Sequence, residues 1–230
     1  MRNKGKVRIA AILYIVLCIV LLVSASSNAN QASVGITEAS PAMKAFMEVL
    51  KNNTGFYMCE TSYVGDQAVR SYQGKHTLLR ELLSDDSDSD YAGRTVEQFA
   101  VVDMDGSGVP EVVIELSRDG ERIVFHNRND RIYGFGFSYR GMNELKIDGT
   151  FSGSSGAASS SIGKLEFLTV ECKERVLAYS DDDKYYVNDK QVSEDMFNSS
   201  LSKHWEKEDA DWYSYSAETF EEDFISAWNK

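Results

Sequence analysis

From Thr95 onward the chain consists of short β-forming segments separated by turn signals, and this pattern constrains the fold more than any other feature. Asp119-Gly120 is a strong hairpin signal, and residues 127–130 form another turn-like stretch. The expected strands cover residues 96–102, 110–117, 122–126, 132–139, 144–151, 163–171, 174–180 and 184–188. Because the connections between them are short, the sequence predicts an antiparallel β meander.

Helical patterns lie on both sides of this β region. Ser40 and Pro41 are the residues preferred at a helix N-cap and at the first helical position. A buried stripe should follow at helical spacing, formed by Met43, Phe46, Met47 and Leu50. A short second helix is expected over residues 76–83.

Two more helices are expected at the C-terminal end, with Ser193 and Ser216 as their N-caps. The residues expected to face inward are Met196, Phe197, Leu201 and Trp205 on the first, and Phe220, Phe224, Ile225 and Trp228 on the second. The predicted fold class is therefore α+β: an antiparallel β meander with N-terminal and C-terminal helices packed against it.

Residues 1–29 are typical of a secretory signal peptide. A basic start precedes a 15-residue apolar run, Ile9 to Val23, and small residues around Ala25 and Ala29 follow it. A membrane-spanning helix needs about 20 apolar residues, so cleavage and secretion are favoured over an uncleaved anchor formed by residues 9–23. Residues 30–39 are polar and are expected to be a linker, and residues 40–230 are expected to form a single α+β domain.

The chain is acidic, with a formal net charge of −12. The first 29 residues carry four positive and no negative charges, so the mature chain would carry −16. Such a charge opposes binding to nucleic acid and to anionic membrane surfaces, and it favours cations. The expected partner is an extracellular or envelope ligand, with membrane contact only if the N-terminal segment is retained.

Two cysteines, Cys59 and Cys172, lie outside the signal segment. An oxidising compartment would allow them to pair. Two cysteines do not make a disulfide framework, however, and free cysteine is among the most buried residue types. We therefore expect both thiols to be buried and unpaired, with a disulfide as the alternative.

Residues 103–111, which read DMDGSGVPE, interrupt two strand-forming runs with carboxylates and glycines. An EF-hand loop takes oxygen ligands at positions 1, 3, 5, 7 and 9, with glycine at position 6. Counting from Asp103, the matching ligands are Asp105, Ser107, the Val109 carbonyl and Glu111. Two features depart from that pattern: Ser107 is neutral, and position 12 is Ile114 instead of glutamate.

Because strands flank it, the loop resembles the strand-loop-strand calcium loops of integrin-type and FG-GAP-like repeats, with the pattern DxDGxGxxE. This resemblance implies that calcium is the cofactor and that Asp103, Asp105, Ser107, Val109 and Glu111 are its ligands. The alternative is an ordinary turn in which Asp103 and Asp105 bond local backbone amides.

Three longer stretches carry a second resemblance: FAVVDMDGSGVPEVVIEL, IYGFGFSYRGMNELKIDGTFSGSSGAA and IGKLEF. They resemble a family of uncharacterised secreted or lipid-anchored proteins of Gram-positive bacteria, which share a DxDGxGxPE loop. The resemblance implies an envelope or extracellular location and supplies no activity. The lipid-anchor cysteine of some members has no counterpart here.

Other candidate sites carry weaker signals. The aromatic residues of IYGFGFSYR, namely Tyr133, Phe135, Phe137 and Tyr139, share one strand face. That face is expected to point to the core, with stacking on sugar or peptide as the alternative. Two SxxK matches, Ser161–Lys164 and Ser200–Lys203, lack the partner motifs of penicillin-binding enzymes. The three histidines have no zinc-site spacing.

The sequence thus favours a secreted or cell-envelope-associated, non-catalytic binding protein with one weak structural calcium site. The alternative is a carboxylate-dependent extracellular hydrolase. Its catalytic carboxylates should face each other across a cleft, roughly 5 to 10 Å apart for a glycosidase.

The signal-peptide interpretation predicts a mature N-terminus near Ser26 or Asn30, because signal peptidase cuts after small residues such as Ala25 or Ala29. Intact-mass measurement on protein from the culture medium would identify it. Full-length protein held in the membrane with residues 1–29 intact would contradict cleavage.

Overall fold

The computed structural model describes residues 40–64, 67–138, 140–154, 156 and 159–230. Residues 40–230 form one compact unit. The proposed signal, anchor and linker segments, residues 1–39, and the strand residue Tyr139 lie outside the described residues. None of the helices in the described part of the chain is long and apolar enough to cross a membrane.

The described residues are mostly β-structure with four helices. The helices are α1 (Pro41–Leu50), α2 (Leu79–Leu82), α3 (Glu194–Trp205) and α4 (Phe220–Trp228). The strands are β1 (Phe56–Val64), β2 (Gln67–Thr77), β3 (Val96–Val102), β4 (Glu111–Leu116), β5 (Arg122–Arg128), β6 (Arg131–Phe137), β7 (Thr150–Gly153), β8 (Ser161–Phe167), β9 (Glu171–Asp181), β10 (Lys184–Val187), β11 (Lys190–Val192) and β12 (Tyr213–Ser214).

All twelve strands belong to one mixed sheet, ordered β11-β10-β9-β2-β1-β6-β5-β4-β3-β12, with β7 and β8 joined to it through β9. Strands β3 to β6 are consecutive antiparallel neighbours, as expected of a meander. The whole sheet is not a meander, because β1 pairs parallel to β6 and β2 pairs with the distant β9. The class α+β is compatible with this architecture.

One expected strand, 144–151, begins only at Thr150. The preceding residues turn instead, because Gly149 adopts a φ of +76° and its amide donates to the Lys146 carbonyl. Strands β1 and β2 were not among the expected strands, and they supply both the parallel pairing and the link to β9.

The sheet buries side chains on both faces. One face carries a core of fourteen buried residues that includes Ala100, Val113, Val124 and Phe135. The other face packs against α1 and α4, through ring contacts such as Phe99–Phe224. Phe135 and Phe137 are buried as expected. Gly134 and Gly136 flank Phe135 and lie directly against Phe56 and Tyr91, so close packing explains the glycines next to the buried rings. Tyr133 of the same strand face is only half-buried.

Two of the three expected serine N-caps are present. Ser40 accepts from the Met43 amide and Ser193 from the Met196 amide, as expected. Helix α4 begins at Phe220, with Thr219 and not Ser216 at its N-cap.

The expected inward-facing residues of α3 and α4 are only partly confirmed. Phe197, Leu201 and His204 form the buried stripe of α3, so Met196 and Trp205, which flank it, are 60% and 54% exposed. Phe220 and Phe224 of α4 are buried as expected, whereas Ile225 is exposed.

Cys59 and Cys172 are both buried and unpaired, which confirms that expectation. Burial raises the pKa of the Cys59 thiol to about 12. Burial also raises the pKa of Cys172, although the nearby Arg70 guanidinium opposes the shift. Both groups therefore stay protonated at neutral pH and are poor nucleophiles.

Replacing Gly149 by alanine should destabilise the fold by about 2–4 kcal/mol, because overpacking adds to the cost of a positive φ. A Cβ there would lie 2.5 Å from the Cα of Met104. Gly120→Ala is the matched control, because its φ is +69° and no atom beyond its two chain neighbours lies within 4 Å of the added Cβ. The control should cost about 1 kcal/mol. Equal losses of unfolding free energy in urea would contradict the close approach.

Candidate metal site

The loop 103–110 connects the end of β3 to the start of β4. These two strands pair antiparallel, with Val102 opposite Glu111, so the register brings the two ends of the loop together. Gly106 and Gly108 have φ values of +80° and +81°. Such values favour glycine, and they let the backbone curl tightly between the strands.

The curl brings together three of the expected ligands. One carboxylate oxygen from each of Asp103, Asp105 and Glu111 lies within 4.8 Å of the others. Asp105 is exposed, Asp103 is half-buried and Glu111 is buried, so the cluster opens to solvent on one side. Oxygen atoms at this spacing could hold a metal ion.

Ser107 and Val109 lie in the same loop and bond to each other. The Ser107 hydroxyl donates to the Val109 carbonyl over 3.3 Å, and the Val109 amide donates back to Ser107 Oγ over 3.2 Å. These bonds close the outer part of the curl.

The carboxylates also make the backbone bonds expected of an Asx turn. Asp103 accepts from the amides of Gly106, Ser107 and Gly108 at 2.8–3.0 Å. Asp105 accepts from the Ser107 amide at 2.9 Å. A carboxylate has about four acceptor positions, so one remains on Asp103 and three on Asp105. The turn bonds and a bound cation are thus compatible.

Glu111 forms the buried floor of the cluster and is 1% exposed. Its Oε2 accepts from the Met104 amide at 2.8 Å, and its Oε1 lies 2.9 Å from His126 Nδ1. Burial raises the pKa of Glu111, while the bonds from His126 and Met104 oppose that shift. The local cost of ionising this group is therefore offset only in part by its protein neighbours.

His126 was not among the residues expected at the loop. Its place follows from the hairpin register, because Val112 pairs with Phe125 across β4 and β5. The next pair toward the loop is therefore Glu111 and His126. A two-residue turn at Asp119-Gly120 would place Glu111 opposite Arg128 instead, but the loop covers residues 117–120 because the Leu116 amide donates to the Glu121 carbonyl.

A second polar cluster lies directly behind the loop. Gly149 packs against the Met104 backbone. Next to it, the Thr150 hydroxyl donates to Asp148 at 2.6 Å and accepts from Lys207 at 3.1 Å. Lys207 also pairs with Asp148 at 2.8 Å.

The buried Lys146 closes the C-terminal end of α3. Its ammonium donates to the Trp205 and Lys207 carbonyls and to Asp209. A cation is favourable at this negative end of a helix.

The two SxxK matches lie in different secondary structures, one in a strand and one in a helix. Ser161 and Lys164 both lie in β8, not at the start of a helix. In α3 the Ser200 hydroxyl donates to the Met196 carbonyl of the preceding turn. Neither arrangement resembles an activated nucleophile at a helix start, and catalytic residues stay unknown.

Comparison with protein-family models, curated proteins and solved structures found no match for this chain. The resemblance to the Gram-positive family and to FG-GAP-like loops therefore stays a prediction.

The Asp148 cluster predicts a specific acid sensitivity. Burial would raise the pKa of Asp148, but hydrogen bonds from Lys207 and Thr150 outweigh it and lower the pKa from 3.8 to about 2. A carboxylate whose pKa is lower when folded stabilises the protein above its unfolded pKa and loses that contribution as the pH falls toward the folded value. Between pH 3.8 and about 2, wild-type Tm should fall more steeply than that of Asp148→Asn.

The exposed Asp86 provides the matched control, since Asp86→Asn removes the same charge from a surface turn. Its Tm profile should run parallel to that of the wild type. Parallel profiles for Asp148→Asn and the wild type in thermal unfolding would show that the ion pair with Lys207 contributes nothing.

Proposed function

We propose that the protein is a secreted or cell-envelope-associated, non-catalytic binding protein that takes one weak structural calcium ion in the loop 103–111. The observation that supports the site most directly is the convergence of Asp103, Asp105 and Glu111 within 4.8 Å. Three carboxylates at this distance repel one another unless a cation offsets their charge.

Calcium is the cation that fits this ligand set best. It prefers oxygen ligands and tolerates irregular geometry, whereas magnesium demands a near-ideal octahedron. We assign Asp103, Asp105, Ser107, the Val109 carbonyl and Glu111 as its ligands. Five protein ligands are fewer than the usual 6 to 8, and Ser107 is neutral, so the affinity should resemble the 10⁻⁴ to 10⁻³ M of extracellular modules.

The role assigned to calcium is structural. An ion bound here would join the end of β3 to the start of β4 and would compensate the buried charge of Glu111. Secretion is proposed from the N-terminal sequence pattern and agrees with the strongly acidic composition. Millimolar extracellular calcium would be sufficient to occupy a site of this affinity.

The hydrolase alternative has less support. A surface pocket on β1 and β2 contains one carboxylate, Glu60, and a pocket beside α3 contains none. Neither pocket therefore favours a pair of catalytic carboxylates, and we retain the binding role as the proposal.

Calcium should raise the Tm of the chelator-treated protein by mass action. At a free concentration about ten times the Kd, binding adds about 1.4 kcal/mol to the free energy of unfolding. For a domain of this size that corresponds to roughly 3–6 °C in thermal unfolding. An unchanged Tm at about 10 mM calcium, ten times the weakest expected Kd, would refute the site.

Asp105→Asn should abolish most of this shift. The asparagine keeps an oxygen that can accept from the Ser107 amide, so the turn survives while one ligand charge is lost. Asp86→Asn removes one charge from the acidic run 84–90 and should keep the full shift. If Asp86→Asn also lost the shift, calcium would be associating loosely with the acidic run.

A further inference from the structure

A strip of ring side chains crosses the sheet at the end where the candidate metal loop lies. It runs over the neighbouring strands β2, β1, β6 and β5, and the next strand, β4, carries Glu111. We call these residues the rim strip: Tyr57, Tyr72, His76, His126, Tyr133 and Phe167. Five neighbouring strands at about 4.8 Å spacing give the strip and the loop a combined length of about 19 Å.

The rings hold one another in a continuous series. Tyr57 stacks on Tyr133 at 5.5 Å and contacts His76 at 5.1 Å. Tyr133 then contacts Tyr72 at 4.8 Å, edge to face. Further along, Tyr72 lies 6.2 Å from His126.

Phe167, which comes from the end of β8, stacks on His126 at 4.0 Å with the two ring planes nearly parallel. Because neighbouring rings fix one another, a ligand that contacts them would cost little side-chain entropy. His76 is exposed and the other residues of the strip are half-buried, with the Tyr72 hydroxyl itself buried, so the strip as a whole keeps part of its surface in solvent.

Hydrogen-bonding groups of both kinds line the strip. The guanidinium of Arg128 lies over Tyr72 at 4.6 Å, and that of Arg131 lies over Tyr57 at 5.6 Å. These groups donate only. On β5, His126 contacts Glu111, so the strip leads directly into the carboxylates of Asp103 and Asp105. Ionised carboxylates act only as hydrogen-bond acceptors.

We propose that the rim strip binds an extended, uncharged glycan. A sugar chain presents apolar C–H groups to aromatic rings. Its hydroxyls both donate and accept, so they can bond arginines at one point and carboxylates or their bound cation at another. This inference specifies the ligand class of the proposed binding role, and it does not depend on whether the loop takes calcium.

Two other partner classes fit the surface less well. A polyanion would gain from Arg128 and Arg131 but would meet Asp130 in the turn between them and the carboxylates of the loop. A peptide that adds a strand needs a free sheet edge. The rim strip crosses the ends of paired interior strands and offers no such edge.

The test is calorimetric titration of the mature secreted protein with cellohexaose and with chitohexaose, in calcium and in chelator. At least one neutral hexasaccharide should bind at millimolar concentration or below. Arg131→Ala should weaken binding, and Tyr133→Ala should weaken it about tenfold, as expected for a central aromatic contact. Tyr186→Ala is the matched control, because Tyr186 is also half-buried and stacks on Tyr179 at 4.6 Å on the β9–β10 hairpin.

Arg131 is exposed, so its variant should keep the wild-type Tm and remains informative if Tyr133→Ala fails to fold. Absence of binding to both neutral hexasaccharides would overturn the proposal. Binding of an oligogalacturonate but of neither neutral hexasaccharide would overturn it in favour of a polyanion. Binding of a neutral hexasaccharide that Arg131→Ala leaves unchanged would also overturn the proposal, because the ligand would then lie elsewhere. If the wild-type protein binds the glycan but its Tm does not change with calcium, the calcium site is refuted and the glycan inference still holds.

Discussion

The buried carboxyl group of Glu111 is the contact on which the loop and the neighbouring strands depend. A side chain that is 1% exposed must satisfy its oxygens inside the protein, and Glu111 does so with the Met104 amide and with His126. The first bond fixes where the loop leaves β3, and the second ties the start of β4 to β5. Removing either partner would leave a buried acceptor unsatisfied at a cost of about 1–3 kcal/mol. The curl of the loop and the register of the hairpin are therefore coupled through one residue.

Local turn chemistry explains which part of the sheet could be predicted from the sequence. The turns at Asp119-Gly120 and at Asn129-Asp130 contain residues with positive φ, and both join antiparallel neighbours. The parallel pairing of Tyr57 with Tyr133 has no such local signal, because its partners lie far apart in the chain. The same holds for β2 and β9, which meet at Arg70 and Cys172. Expecting a meander throughout was the direct consequence of knowing only the short connections.

The residues of the candidate site also differ in whether the sequence alone could predict their positions. The spacing of Asp103, Asp105 and Glu111 is local, and the sequence alone placed these residues in one curl. His126 required the register of the next hairpin, and the approach of Gly149 to Met104 required the fold itself. That approach brings the DMDGSG and LKIDGTF stretches, which the sequence presents as separate, into one packed unit. A side chain at Gly149 would therefore disturb the candidate metal loop through the Met104 backbone, without contacting its carboxylates.

The backbone bonds of Asp103 bear on how tightly the proposed calcium would be held. Three amides already neutralise part of that carboxylate's charge, so a cation would gain less from it than from a free carboxylate. The same bonds hold the loop in its curled form before any ion arrives, which reduces the entropy lost on binding. The first effect weakens the affinity and the second strengthens it. A loop built this way would keep its shape when the ion dissociates, so calcium would change its stability more than its structure. The rim strip, joined to the loop through His126 and Glu111, would then keep its geometry in both states.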